Sequence, residues 1–189
     1  MCLKQNFVYH KKEEGAMKLH LHTPLLESLE MGKNFEGQIY LKMEALQPSG
    51  SFKNRGIGAI CSHYAAHENA QCFISSSGGN AGLAVAYSGR LLQVPVKVVI
   101  PQSAPLMMVE KIEMEGAEVI IHGEDWMAAD LLAQELAQTP GYFYISPFNH
   151  PLIWKGNASL IHEVAAEGIK PEAVVVAVGG GGLLCGIVQ

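Results

Sequence analysis

The sequence predicts an α/β protein, an open and mainly parallel sheet with flanking helices. Three observations carry this. Short apolar runs at 72–76, 96–100 and 173–178 do not alternate, which is how strands buried on both faces read. Stretches with apolar residues at helical spacing separate them, as crossovers between parallel strands require. Two strand-to-helix junctions, 77–82 and 179–182, consist of small residues that leave backbone amides bare at a helix entry.

Taken in order, residues 1–18 form a weakly held lead-in whose Lys4, Lys11, Lys12, Glu13 and Glu14 exclude the apolar core of a secretory signal. Thr23-Pro24-Leu25 makes an extended turn before a short amphipathic piece at 25–31. Residues 39–43 alternate and are β-rich, a strand running toward the turn that holds Lys53. A helix from 54 to about 67 puts Ile57, Ile60, Cys61 and Tyr64 on one face. The strand at 72–76 enters the junction 77–82, and the helix beyond it spaces Leu83, Tyr87 and Leu91 four residues apart.

The strand at 96–100 stops at Pro101; Pro105 opens a helix with Leu106, Val109 and Ile112 inward, and Gly116 closes it. After a strand at 118–122, Asp125 caps a helix with the stripe Trp126, Ala129, Leu132 and Leu136, ended by Pro140 and Gly141. A strand at 142–145 precedes a helix at 151–167 with Ile161, Val164 and Ala165 on one side. The apolar strand at 173–178 then feeds the four glycines and a helix from Leu183. That helix has room for barely two turns and no C-terminal cap, so the last βα unit reads as cut short.

With 189 residues, 49% hydrophobic and 16% charged, the chain can bury a full core. A net charge of -5, without a dense basic run, gives no electrostatic footprint for nucleic acid. No apolar run approaches the ~20 residues of a membrane span. Cys2, Cys61, Cys72 and Cys185 lack metal or disulfide spacing and read as reduced thiols, so the cytoplasm is the expected location. His20 with His22, and His63 with His67, have no third ligand nearby in sequence; solvated faces are expected, and no metal site. Trp126, Trp154, Met107, Met108 and Met114 read as core filling.

The chemistry concentrates in three stretches. Lys53 stands among small and turn-forming residues between a strand and a helix, where an amine can face a cleft; taken alone it also fits a solvated first-turn lysine. The run Gly179, Gly180, Gly181 and Gly182 suits a phosphate cradle, since consecutive glycines cost conformational entropy that a purely structural turn does not require. Neither GxGxxG nor a Walker lysine is present. The junction 77–82 is either a tight βα turn or a second anion cradle, with Asn80 able to cap the helix or reach a ligand. A nucleophilic lysine, a phosphate cradle and a carboxylate-sized cradle together fit pyridoxal 5'-phosphate carrying an amino acid.

Ser49-Gly50-Ser51-Phe52-Lys53-Asn54-Arg55-Gly56, Ser77-Gly78-Gly79-Asn80-Ala81-Gly82 and Gly179-Gly180-Gly181-Gly182-Leu183 resemble the cofactor motifs of fold-type II pyridoxal phosphate enzymes. The runs 42–48 and 147–154 are most similar to the L-serine dehydratase/L-threonine deaminase group, including its serine dehydratase-like member. The similarity extends from about Leu19 to Gln189 and covers the N-terminal half to two-thirds of such an enzyme. It implies a tryptophan synthase beta-like fold, with a small domain at 44–150 inserted in a larger one represented by 1–43 and 151–189. It also implies that Lys53 binds the cofactor covalently and Phe52 packs beside its ring. Asn80 would bond the ring hydroxyl, and Ser77, Gly78, Asn80 and Ala81 would hold the substrate carboxylate. Gly179, Gly180, Gly181, Gly182 and Leu183 would hold the phosphate. Members of the group carry alanine or glycine at the place of Gly78, and glycine should widen the pocket.

The implied reaction is β-elimination from L-serine or L-threonine, giving pyruvate or 2-oxobutanoate and ammonia. Serine racemase or biosynthetic threonine deaminase activity is an alternative, as is a truncated isoform without catalysis that acts as an interaction partner. The resemblance implies a homodimer for the full-length family. The partner of the pyridine nitrogen and most of the monovalent-cation ligands and dimer surface would follow Gln189, so weak or no activity is expected of these residues alone, and the homodimer is expected of the full-length family only.

Overall fold

The computed structural model describes residues 16–33 and 35–189. An antiparallel hairpin comes first: β1 (Leu25–Glu27) pairs with β2 (Tyr40–Lys42) through Leu26 opposite Leu41, with the one-turn helix α1 (Leu29–Gly32) between them. The short amphipathic piece is thus a strand followed by a single helical turn, split by Ser28, whose hydroxyl accepts from the Met31 amide. A 3-10 turn, Glu44–Leu46, then leads toward α2 (Lys53–His67).

The main sheet is four-stranded and entirely parallel. Its strands are β3 (Cys72–Ser75), β4 (Val96–Ile100), β5 (Glu118–Ile121) and β6 (Tyr142–Tyr144), in the spatial order β5-β4-β3-β6. Helices α3 (Asn80–Leu92), α4 (Leu106–Met114) and α5 (Trp126–Leu136) make the crossovers. The absence of alternation has the expected cause. Phe73, Val98 and Ile100 pack on one face with Ile57, Ile60, Val85 and Ile112, while Ile74 and Val99 pack on the other with Ala129 and Ala133 of α5.

The strand order turns back at β3. The chain steps outward through β4 and β5, then crosses by α5 to the other side of β3, so the loops after β3 and β6 diverge. A crevice at the carboxyl ends of strands forms at such a switch point. Both loops carry predicted site residues or their neighbours.

Helix α6 (Pro151–Ala166) is the support for the rest. Its cap is His150, whose Nδ1 accepts from the Leu152 amide. Gly56 of α2 and Gly156 of α6 meet backbone to backbone: a Cβ at Gly156 would lie 2.5 Å from the Arg55 carbonyl oxygen. The last helix, α7 (Gly182–Ile187), crosses the same helix, where Asn157 Nδ2 donates to the Gly182 carbonyl at 2.9 Å.

Several expectations change. Residues 173–178 form no strand; Val175 is 98% exposed and Val174 and Val178 are also exposed. A strand exists through its neighbours' hydrogen bonds, and among the described residues nothing pairs with this run. Leu106, Met107, Met114 and Trp126 are exposed and Ala165 lies on the solvent side, whereas Met108 and Trp154 are half-buried. Helical period says which residues share a face, not how far along the helix a neighbour extends.

His20 is also not on a solvated face. Its side chain is largely buried beside Glu163, while His22 is exposed. His63 and His67 have ring centroids 4.9 Å apart, and no cluster able to hold a metal occurs among the described residues. Cys61 and Cys72 are buried, Cys185 is half-buried, and all three are free; Cys2 lies outside the described residues. The lead-in at 1–15 lies outside them too. Beyond it, the Met17 amide donates to Ser62 Oγ at 2.5 Å and Leu19 is buried. No helix among the described residues is long and apolar enough to cross a membrane.

Candidate active site

Lys53 is the first residue of α2, held there by a turn that closes on itself: Asn54 Oδ1 accepts from the Ser49 amide at 2.9 Å and from Ser49 Oγ. The amine is half-buried and donates to the Pro147 carbonyl. Burial holds its pKa below the ordinary lysine value, and its place in the first turn of a helix acts in the same direction. A lysine so placed keeps more of the neutral amine needed for nucleophilic attack and proton abstraction. Phe52 flanks it, with Nζ 5.3 Å from the ring centroid.

The glycine turn reaches the same place through the next residue. A Cβ at Gly180 would lie 2.2 Å from the Phe148 ring, and one at Gly182 would lie 2.5 Å from the Phe148 carbonyl oxygen. Only bare backbone fits against Phe148, which is itself held by a 3.0 Å bond from Trp154 Nε1 to its carbonyl. Gly181 takes a left-handed φ of +78°, and Gly179 and Gly180 are exposed. Leu183 is half-buried in α7. Lys53 and the glycine turn are therefore joined through the adjacent residues Pro147 and Phe148.

The junction 77–82 leaves the carboxyl end of β3, beside the end of β6 from which Pro147 follows; the Ile145 amide donates to the Ile74 carbonyl at 2.8 Å. The turn folds back so tightly that a Cβ at Gly82 would lie 1.8 Å from the Ser77 carbonyl oxygen. Ser77 Oγ accepts from the Gly79 amide at 3.3 Å. Gly79, not Asn80, is the cap of α3, and Asn80 is exposed, with its side chain making no hydrogen bond among the described residues. Ala81 is buried. Gly78 faces inward, for a Cβ there would meet Ile100 Cγ2 at 3.2 Å and the Ala104 methyl at 3.4 Å. A side chain at this position would press on β4 and the loop after it. No hydrogen bond joins residues 77–81 to Lys53 or to the glycine turn among the described residues.

Residues 17–189 match the family of pyridoxal-phosphate dependent enzymes. This chain is a member of that family. It is 48% identical over 180 residues to the human protein "Serine dehydratase-like", covering 95% of this chain and 54% of that one. With human "L-serine dehydratase/L-threonine deaminase" the identity is 47% over 173 residues, covering 90% and 52%. The crystal structure of the L-serine ammonia-lyase from Rhizomucor miehei superposes with a TM-score of 0.85 at 37% identity, over 90% of this chain and 55% of that chain. The chain spans about half the length of the relatives it matches.

The residues present fit the family's cofactor. A desolvated amine and a glycine turn without side chains of its own share the Pro147–Phe148 corner, the arrangement that an aldehyde and a phosphate on one small molecule require. Three contributors escaped the sequence reading. The segment 147–154 was legible as family-like, but the Pro147 carbonyl and the Phe148 ring act through contacts that sequence spacing does not encode. Arg55, fully buried between Glu44 and Glu163, is the third. An arginine two residues from a candidate nucleophile, with glutamates 11 residues before and 108 after, leaves no local signal.

Proposed function

We propose that this chain carries the cofactor- and substrate-holding part of an enzyme that deaminates L-serine and L-threonine by β-elimination. The reaction removes the α-proton and the β-hydroxyl, and returned water releases ammonia from the remaining carbon skeleton as pyruvate or 2-oxobutanoate. The observation that carries this reading is the half-buried Lys53 amine bonded to the Pro147 carbonyl, with the glycine turn seated on the next residue, Phe148. The relatives' names support the same chemistry.

Bound there, pyridoxal phosphate supplies an electron sink for the charge that develops at the substrate Cα. The chain's own residues do the rest. Lys53 would hold the cofactor covalently, and its free amine would accept the α-proton, a task suited to an amine whose charged form burial disfavours. Phe52 would pack beside the ring, and the exposed Asn80 amide would reach its hydroxyl. Ser77, Gly78, Asn80 and Ala81 grip the substrate carboxylate, while Gly179, Gly180, Gly181, Gly182 and Leu183 grip the phosphate. Residues 44–150 act as the smaller domain, with 1–43 and 151–189 belonging to the larger. The site of action is the cytoplasm, and the full-length assembly is a homodimer.

The test is reductive trapping. Purified protein mixed with pyridoxal phosphate should develop visible absorbance, and borohydride should fix the label on the peptide holding Lys53. Lys53→Ala should abolish both. Label on another lysine, or equal labelling of the variant, overturns the reading.

A further inference from the structure

Asp130 stands on the crossover helix α5, buried against the face of the sheet opposite α2 and α3. Its Oδ1 accepts two hydroxyls, Ser76 Oγ at 2.5 Å and Tyr144 OH at 2.5 Å, while Oδ2 accepts Gln134 Nε2 at 2.6 Å. The two hydroxyls are 3.2 Å from each other. Ser76 immediately precedes the junction 77–82, and Tyr144 lies three residues before Pro147, whose carbonyl receives Lys53. One carboxylate oxygen therefore holds the roots of both loops.

The backbone does not do this by itself. The β3–β6 ladder runs out with the bond from the Ile145 amide to the Ile74 carbonyl at 2.8 Å. Beyond it, no backbone hydrogen bond joins residues 75–80 to 146–149. At a switch point the two loops diverge, so the ladder's order fades where the site begins. Burying a carboxylate for stability alone is a poor exchange, because an apolar side chain of similar volume serves a core as well or better.

We infer that Asp130 is a positioning residue that sets the spacing between the loop at 77–81 and the Pro147–Phe148 corner by gripping Ser76 and Tyr144 with one oxygen. The carboxylate touches neither substrate nor cofactor; it acts through the two hydroxyls. Its functional meaning, that the carboxylate-binding loop and the corner that receives Lys53 are held in register, rests on the function proposed above. The mechanical coupling does not.

The experiment is hydrogen–deuterium exchange by mass spectrometry on the full chain without cofactor, following peptides over 76–82 and 145–150. Asp130→Leu should raise exchange about tenfold in both peptides and leave those of α2 and α4 unchanged. Asp130→Asn should stay within about twofold of the parent, since its amide oxygen still accepts both hydroxyls and Gln134 can turn its own amide to accept from the new NH2. Should Asp130→Leu fail to fold, the single-donor variants decide: Tyr144→Phe should loosen 76–82, and Ser76→Ala should loosen 145–150. Loosening confined to the mutated strand, spread over the whole chain, or equal in the Asn and Leu variants overturns the inference. A parallel titration with pyridoxal phosphate should show about tenfold weaker binding for Asp130→Leu. If the parent chain binds none, the functional reading fails while the exchange data still decide the coupling.

Discussion

Arg55 and Glu163 face each other through two hydrogen bonds of 2.8 Å, Nη1 to Oε1 and Nη2 to Oε2, inside the protein. Glu44 takes the other edge of the same guanidinium, at 2.8 Å from Nε and 2.7 Å from Nη2. Lys42 Nζ lies 2.8 Å from Glu163 Oε2, so two cations balance two carboxylates. The cluster ties the hairpin, the first turn of α2 and the last turn of α6 together, two residues from Lys53. It places the start of α2 and hence the amine.

Removing the arginine leaves Glu44 without a cation and Glu163 with Lys42 alone. Arg55→Met should cost about 3–5 kcal/mol in urea denaturation, the usual result of leaving a buried charge unpaired. Arg55→Lys should recover only part, because an ammonium cannot serve two forks at once.

The same cluster makes stability pH-dependent. Burial pushes the Glu163 carboxyl up, but hydrogen bonds from Arg55 and Lys42 win and hold it at about 2, against an ordinary value of 4.5. Burial, with the nearby Arg55 and Lys18 charges, lowers His20 to about 3 from 6.5. In both cases the unfolded chain takes up a proton before the folded one does, so stability falls with falling pH. The loss begins as pH drops below about 6.5 through His20 and deepens from about 4.5 toward 2 through Glu163. Thermal unfolding at stepped pH should follow this course, and His20→Phe should flatten its upper part. Stability that rises between pH 6.5 and 4 would contradict the assignment.

Close approach of α2 and α6 is equally specific. A methyl at Gly156 would sit 2.5 Å from the Arg55 carbonyl and 2.7 Å from the Ala59 methyl, so Gly156→Ala should destabilise by about 1–3 kcal/mol. By moving α2, it should also weaken pyridoxal phosphate binding in an absorbance titration.

Gly78→Ala should behave differently. The added methyl would meet Ile100 and Ala104 at 3.2–3.4 Å, a fit that needs shifts of a few tenths of an ångström. The Gly78 φ is not left-handed, so the alanine also reduces the freedom of the unfolded chain. Unfolding free energy should stay within about 1 kcal/mol of the parent. A loss above about 3 kcal/mol would mean that the methyl has no such space.

Much of the fold is legible in the sequence. The four strands of the main sheet, the helices between them and the Asp125 cap, which accepts from the Ala128 amide at 2.9 Å, follow from period, composition and capping residues. The three motif stretches were legible as well, because glycine runs and a lysine in a turn are local signals. The misread elements share one cause. Residues 173–178 have a strand's composition but no neighbour, and Leu106 and Trp126 have a helix's period but no surface to cover them. His20 reads like His22 until the fold lays it against Glu163.

The sequence by itself determined the order and type of the elements and which short stretches hold the chemistry, since backbone preference and side-chain period act over neighbouring residues. Only the tertiary structure decided that Pro147 receives Lys53, that Phe148 lies beneath the glycine turn and that Asp130 holds two strand ends. Those contacts join residues up to 94 positions apart, and their geometry comes from helix crossings and strand order rather than from any local signal.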